Sequence, residues 1–349
     1  IWEELLHVSP LGISDDFFSL GGHSLLGVQL MAQIQKCFGR TLPLAQLFRR
    51  ATIEDLARDL RREPAGLSRS PLVVFRAGGK QPPFFAVHAA GGTVHSYRSL
   101  ARHLAPEQPF FALQARGLDG VEEPCTRVDE MARSYVAAVR KVCPRGPYRL
   151  GGWSFGGLVA FEMARQLLAE GEEVAVLALL DTHLPRPRHE PDADEARTLA
   201  FFAREAGLPV GAADLRPLGQ DERLAHVLRL AAAADVLPAG TEGAMREALR
   251  RNLSVRNGCL EAAQRYRPQS SRPYPGRITL LAAAEPPDGE TAPLAGCDPS
   301  RGWGRYTSAP VSVHTVPGNH WTMLREPHAQ VLAAVLGEVF SIAEPQEHP

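Results

Sequence analysis

The sequence predicts two architectures in series: a small all-α unit, then an α/β domain on a mostly parallel sheet that carries a helical insertion. Three observations point there. Apolar residues within 1–62 recur at helical spacing, and nothing in that stretch reads as a strand. From residue 72 onward, short runs that are apolar almost throughout alternate with helical patterns, as strands buried on both faces of a parallel sheet do. Between the two, "RREPAGLSRSP" at 61–71 is polar, holds Pro, Gly and Ser and lacks any period, so residues 63–71 are assigned as a linker. A chain of 349 residues also exceeds the ~250–300 at which a single core stops growing.

In chain order, "IWEELLHV" places Ile1, Trp2, Leu5, Leu6 and Val8 at helical spacing, and "SLLGVQLMAQIQKCF" sets Leu26, Leu30 and Ile34 on one face. "TIEDLARDL" opens with Thr52 and Asp55, a variant of the capping box, ahead of Leu56 and Leu60. Strands are expected at 72–75, 84–88, 110–114, 148–152, 174–180, 278–284 and 311–316. Helices are expected between them at 128–142, 155–170 and 326–340, as right-handed crossovers require. Residues 183–270 break the alternation with helical segments and no strand, and that insertion is a candidate lid.

Composition removes several classes of function. The chain is 44% hydrophobic and 22% charged with a formal net charge of -1, and no basic stripe with interleaved aromatics marks a nucleic-acid surface. No apolar run approaches the ~18–20 residues that span a bilayer. Cys37, Cys125, Cys143, Cys259 and Cys297 are scattered without a C-x-x-C pair, so they read as buried or idle thiols of a reducing compartment, with no metal site. The chain opens on Ile1 inside a helical pattern, without Met or a signal peptide, which suggests a segment of a longer polypeptide.

Two stretches repeat the string Gly-Gly-x-Ser. In "RLGGWSFGGLVAF", Ser154 sits within Gly152-Trp153-Ser154-Phe155-Gly156, a G-x-S-x-G match between an apolar strand and a helix. That context makes Ser154 a nucleophile on a strained strand-to-helix turn, closed only if the positions two before and two after lack bulk. This context resembles the nucleophile elbow of the α/β-hydrolase fold. Its partners should follow as acid, then His. Asp181 ends the next apolar strand in "VAVLALLDTHLP" and is the expected acid, with Glu285 and Asp288 of "AEPPDGE" as rivals. His320 in "PGNHWTML", between the last strand and the last helix, is the expected base; His314 and His328 lie inside those elements and are poorer candidates. The oxyanion donors are expected to be the N–H of Phe155 and, from the glycine-rich turn "VHAAGGT", that of Ala90. Ser, His and Asp together imply acyl transfer through an acyl-serine.

Ser24, in "FFSLGGHSLLGVQL", fails the same test. Leu26 stands where the elbow needs glycine, no strand precedes the serine, and Ser24 instead heads an amphipathic helix. Its role comes from resemblance. "DDFFSLGGHSLL", with "IWEELLHV" before and "LPLAQLFRRATIEDLA" after, resembles the carrier-protein signature of nonribosomal peptide synthetases. "GGWSFGGLVAFEMA", "FFALQARGLDG" and "PGNHWTML" resemble the type I thioesterase domain that ends such synthetases, whose acid position supports Asp181. The resemblance implies a four-helix peptidyl carrier at 1–62 with 4'-phosphopantetheine on Ser24, and a thioesterase at 72–349 with its lid at about 183–270. It further implies a cytoplasmic bacterial setting, a phosphopantetheinyl transferase, upstream adenylation and condensation modules, and a peptidyl thioester released by hydrolysis or macrocyclisation. Trp153 leans to the peptide-synthetase branch, since polyketide thioesterases more often show G-H-S-x-G. The alternatives are a polyketide or hybrid-synthase thioesterase or esterase, and a docking didomain with an idle triad.

Overall fold

The computed structural model describes the chain except residues 23, 41, 43–45, 48–50, 62–69, 121, 185–194, 201–202, 204–207, 235–241, 269–271, 287–297 and 344–349. It divides into two compact units. The first comprises Ile1–Arg69, Leu118–Val121 and Pro187–Ser254; the second comprises Ser70–Gly117, Glu122–Arg186 and Val255–Pro349.

In the first unit, α1 (Trp2–Leu6), α2 (Ser24–Phe38) and α3 (Ile53–Arg61) pack around Phe17, Leu30, Leu47 and Leu56. Phe17 is fully buried and meets Trp2 edge-on, with ring centroids 5.1 Å apart. Thr52 caps α3 as its sequence suggests, its Oγ1 accepting the Asp55 N–H at 3.1 Å and donating to Asp55 Oδ2 at 2.9 Å. A separate apolar cluster in this unit, with Leu199, Leu215, Leu224, Val227, Met245 and Leu253, holds helical residues that lie between Leu180 and Thr279 in sequence.

The second unit is built on seven strands: β1 (Leu72–Arg76), β2 (Phe84–Val87), β3 (Phe110–Leu113), β4 (Tyr148–Trp153), β5 (Val174–Leu180), β6 (Thr279–Ala283) and β7 (Ser312–Val316). Their order is β1-β3-β2-β4-β5-β6-β7; β1 runs antiparallel to β3 and every other pair is parallel. Every residue of β2, β3 and β4 is buried, which is why those runs carry almost no polar residues. The crossover helices include α4 (Arg98–His103), α5 (Val128–Val139) and α6 (Phe155–Ala169). Between β5 and β6 come α7 (Ala212–Leu215), α8 (Gln220–Ala233) and α9 (Glu242–Arg265), the last running into the second unit, and α10 (His328–Ile342) follows β7. Register aligns Val87 with Gly152, Trp153 with Leu180 and Leu180 with Leu281, so β2, β4 and β5 end within one residue of each other. Whatever follows those strands emerges on one edge of the sheet, where ligands of open α/β sheets bind.

Candidate active site

Ser154 stands between β4 and α6 with φ 57° and ψ -123°, a conformation that costs about 1–3 kcal/mol for a residue with a side chain. The glycines around it make the turn possible. A Cβ on Gly152 would lie 2.3 Å from the Gly156 carbonyl carbon, and one on Gly156 would lie 2.2 Å from the Val87 carbonyl oxygen. Gly157 is equally constrained, because a Cβ there would meet Thr182 Oγ1 at 2.0 Å. The Ser154 N–H donates to the Leu180 carbonyl at 2.9 Å, fixing the turn against β5. The serine side chain is thereby lifted to the start of a 15-residue helix whose N-terminus favours negative charge.

His320 and Asp181 converge on this serine. His320 Nε2 is 3.1 Å from Ser154 Oγ, and His320 Nδ1 is 2.6 Å from Asp181 Oδ2. A carboxylate accepts only, so Nδ1 carries the hydrogen and Nε2 is left to take the serine proton. His320 rides on a tight turn in which the Asn319 side-chain carbonyl accepts the N–H groups of Trp321 and Thr322 at 2.9 and 3.1 Å. Asp181 is 3% exposed and has φ 45°. Burial opposes its charge, yet the hydrogen bond and charge of His320, the Arg301 guanidinium and the Ala283 N–H outweigh burial and hold the carboxyl well below the usual range. Of the rivals, Glu285 lies exposed on the loop after β6, and Asp288 lies outside the described residues. His314 is within β7, and His328 opens α10 with its ring packed on Gly318.

Three further residues brace the arrangement, and the sequence reading assigned none of them that part. Arg301 Nη1 reaches Asp181 Oδ1 at 2.5 Å and His183 Nε2 at 2.8 Å, occupying the carboxylate oxygen that His320 does not use. Trp153 lies beside His320 with its ring tilted 36° to the imidazole and centroids 5.3 Å apart, and its indole N–H donates to the His320 carbonyl at 3.1 Å. Tyr97 Oη donates to the Val87 carbonyl at 2.6 Å and accepts the Trp153 N–H at 2.8 Å. That hydroxyl stands in for the next rung of the β2–β4 ladder and opens the strands where the elbow enters. No local pattern singles out an arginine in a chain this rich in them, but Tyr97 sits in a helical turn directly after the glycine-rich loop.

The turn after β2 closes with the Gly92 N–H on the Ala89 carbonyl at 2.9 Å, and the Ala90 amide is not engaged in that bond. Phe155, first residue of α6, contributes the other N–H that the sequence nominates. Ser24 is the first residue of α2; its side chain and His23 lie outside the described residues. Among the described residues no cluster of His, Cys, Asp or Glu could hold a metal ion, and no helix is long and apolar enough to cross a membrane.

Comparison with known proteins adds a family to this geometry. A family model described as Thioesterase domain matches residues 82–339, and one described as Phosphopantetheine attachment site matches residues 1–60. Chondramide synthase of Chondromyces crocatus is 33% identical over 353 residues, covering 96% of this chain and 9% of its own length. A dimodular nonribosomal peptide synthase of Bacillus subtilis is 41% identical over 199 residues, covering 56% of this chain and 8% of its own length. The chain thus spans under a tenth of either relative. A holo four-domain nonribosomal peptide synthetase, solved with AMP and glycine, aligns over 100% of this chain and 26% of its own at 30% identity and TM-score 0.66. The NocB thioesterase domain, in covalent complex with a fluorophosphonate nocardicin G analogue, aligns over 77% of this chain and 98% of its own at 27% identity and TM-score 0.53.

Proposed function

The chain belongs to the thioesterase family, with a phosphopantetheine-attachment domain ahead of the thioesterase domain, and on that premise we propose that it releases the finished chain from a nonribosomal peptide synthetase. The observation that carries this reading is the Ser154–His320–Asp181 relay at 3.1 and 2.6 Å, mounted on a strained turn. Ser154 attacks the acyl carbonyl while His320 takes its proton, with Asp181 holding the imidazolium in register. The Phe155 and Ala90 N–H groups stabilise the tetrahedral oxyanion, worth roughly 10²–10³ in rate per donor. His320 then returns the proton to the departing sulfur, leaving an acyl-serine. Water, or an internal amine or hydroxyl of the substrate, resolves it by hydrolysis or macrocyclisation.

The covalent cofactor is 4'-phosphopantetheine, and Ser24 is assigned as its attachment point. The local fold suits that assignment: a Cβ on Gly22 would meet the Phe17 ring at 2.4 Å, so the loop is drawn tightly onto the core just before the helix that Ser24 opens. When attached, the group supplies a thiol that holds the acyl chain as a thioester. Because both domains share one chain, delivery is intramolecular, at an effective concentration of order mM. The helical segment between β5 and β6 is assigned as the lid that limits water. The reading brings with it upstream adenylation and condensation modules, a phosphopantetheinyl transferase and a bacterial cytoplasmic setting.

A crossover experiment tests both serines. The full chain is loaded by a phosphopantetheinyl transferase with a peptidyl coenzyme A, and intact mass is followed in time. Wild type should gain and then lose the peptidyl mass, Ser154→Ala should gain and keep it, and Ser24→Ala should gain none yet still cleave a soluble thioester. Release from Ser154→Ala at the wild-type rate would sink the proposal. A fluorophosphonate should label Ser154 alone.

A further inference from the structure

One fully buried histidine takes no part in the relay. His88, the residue after β2, places Nδ1 2.6 Å from the Ala89 carbonyl oxygen and Nε2 2.8 Å from Tyr135 Oη. A carbonyl only accepts, so Nδ1 carries the hydrogen; Nε2 is then bare and accepts the tyrosine hydroxyl. The partners dictate the tautomer. The same Ala89 oxygen also accepts the Gly92 N–H at 2.9 Å, so two donors pin it.

A peptide unit is planar, and in the trans form its C=O and N–H point to opposite sides. With the Ala89 oxygen drawn toward His88, the N–H of Ala90, which belongs to the same peptide unit, is turned away from it. We propose that His88, oriented by Tyr135, is a positioning residue that sets the Ala89–Ala90 peptide so that the Ala90 N–H is presented to the acyl oxyanion. The proposal rests on the reading of Ser154 as the nucleophile. Its surroundings fit. The backbone of His88 is packed on the head of α6, where a Cβ on Gly156 would lie 2.6 Å from the His88 carbonyl oxygen, and its ring lies 6.0 Å from that of Phe155. Both oxyanion donors are therefore referenced to one packed corner. Burial pushes the His88 imidazole down to about 4, against a weaker upward pull from the Ala89 carbonyl, so near neutral pH the ring keeps its single hydrogen on that carbonyl.

The tautomer is measurable without activity. In ¹⁵N spectra of the full chain at neutral pH, His88 should show a protonated Nδ1 and a bare Nε2; the reverse pattern overturns the proposal and leaves Ser154 untouched. Kinetics supply the second arm. His88→Asn keeps a donor at the Nδ1 position and should turn over a soluble thioester within about threefold of wild type, the spread that one retained hydrogen bond allows. His88→Leu, of similar shape without the donor, should lose roughly 30-fold or more in kcat at unchanged KM. Tyr135→Phe, which frees the tautomer, should fall between them and serves if His88→Leu does not fold. A peptidyl trifluoromethyl ketone, which forms an oxyanion on Ser154, should lose affinity in parallel with kcat, while a non-hydrolysable thioether analogue should not. Equal kcat for Leu, Asn and wild type, or equal weakening of both analogues, rejects the positioning role. Failure of the reading itself has a different signature: Ser154→Ala would then release product at the wild-type rate, whatever the tautomer.

Discussion

Ser24 and Ser154 follow the same string, Gly-Gly-x, and the backbone treats them in opposite ways. Ser24 begins α2 and the helix simply continues through it, with Leu26 half-buried against the helical core two positions on. Ser154 sits at φ 57°, and two positions on Gly156 is pressed against the Val87 carbonyl with no room for a Cβ. The glycines before each serine also differ. Gly22 gives way to both the ring and the carbonyl of Phe17, five positions before it, whereas Gly152 gives way to the backbone of Gly156, four positions after it. What distinguishes Ser154 from a serine that only heads a helix is thus the strand before it and the space two residues after it.

That contrast can be broken experimentally. The largest effect should come from Gly156→Ala, whose Cβ would sit 2.2 Å from a backbone oxygen that cannot swing aside. Overpacking of this kind costs about 1–3 kcal/mol, and an ångström of displacement at the nucleophile costs about 100-fold in turnover. A melting curve and the kcat for a soluble thioester would report both; wild-type kcat would mean that the elbow does not depend on this contact.

A second measurement separates the two regions by acid. Burial lowers His88 and His95 from 6.5 to about 4, and for His95 the charges of Arg98 and Arg325 lower it further. Protons then bind the unfolded chain more readily than the folded one between those values. Stability of the sheet-bearing unit is therefore full above about 6.5 and falls as pH drops toward 4, by roughly 3 kcal/mol for the fully buried His88 at ~1.4 kcal/mol per pH unit, with the half-buried His95 adding in the same direction. Hydrogen exchange of amides in β2–β6 across that window should show the loss, and a flat profile would mean that these imidazoles bind protons in the fold as readily as in the unfolded chain.

The smallest effect is the sharpest on the comparison. Leu26→Gly converts the first string into a full G-x-S-x-G around Ser24. In a Ser154→Ala background it should cost the helix about 1 kcal/mol and produce no fluorophosphonate label on Ser24. A labelled Ser24 would show that the motif alone, without its strand, makes a nucleophile.

The sheet was legible because its strands are buried on both faces, which leaves runs such as "FFAV" and "VAVLALL" with no polar residue. Their ends were less so. The fourth strand extends one residue beyond expectation, through Trp153, because its ladder with β5 continues to Leu180. The second stops one residue short, at Val87, the carbonyl that the Tyr97 hydroxyl takes. Ser154, Asp181 and His320 could be nominated because each follows a strand in the order that acyl transfer requires. Arg301 could not, since it meets Asp181 across 120 residues through a loop with no periodicity. His88 was read only as part of a glycine-rich turn; its role depends on Tyr135, a helix residue 47 positions away. For Ser24, local chemistry excluded one role, and only the wider signature supplied another.

The indole of Trp153 ties the residue next to Ser154 to the main chain of His320, by a 3.1 Å bond and a tilted ring contact. Ser154 and His320 are therefore not two parts aligned at a distance but one part with a built-in spacer. A displacement of β4 carries His320 along with Ser154, so their separation should outlast distortions that a binding substrate imposes on the surrounding loops. The variable letter inside G-x-S-x-G becomes a setting for how much play the proton transfer tolerates.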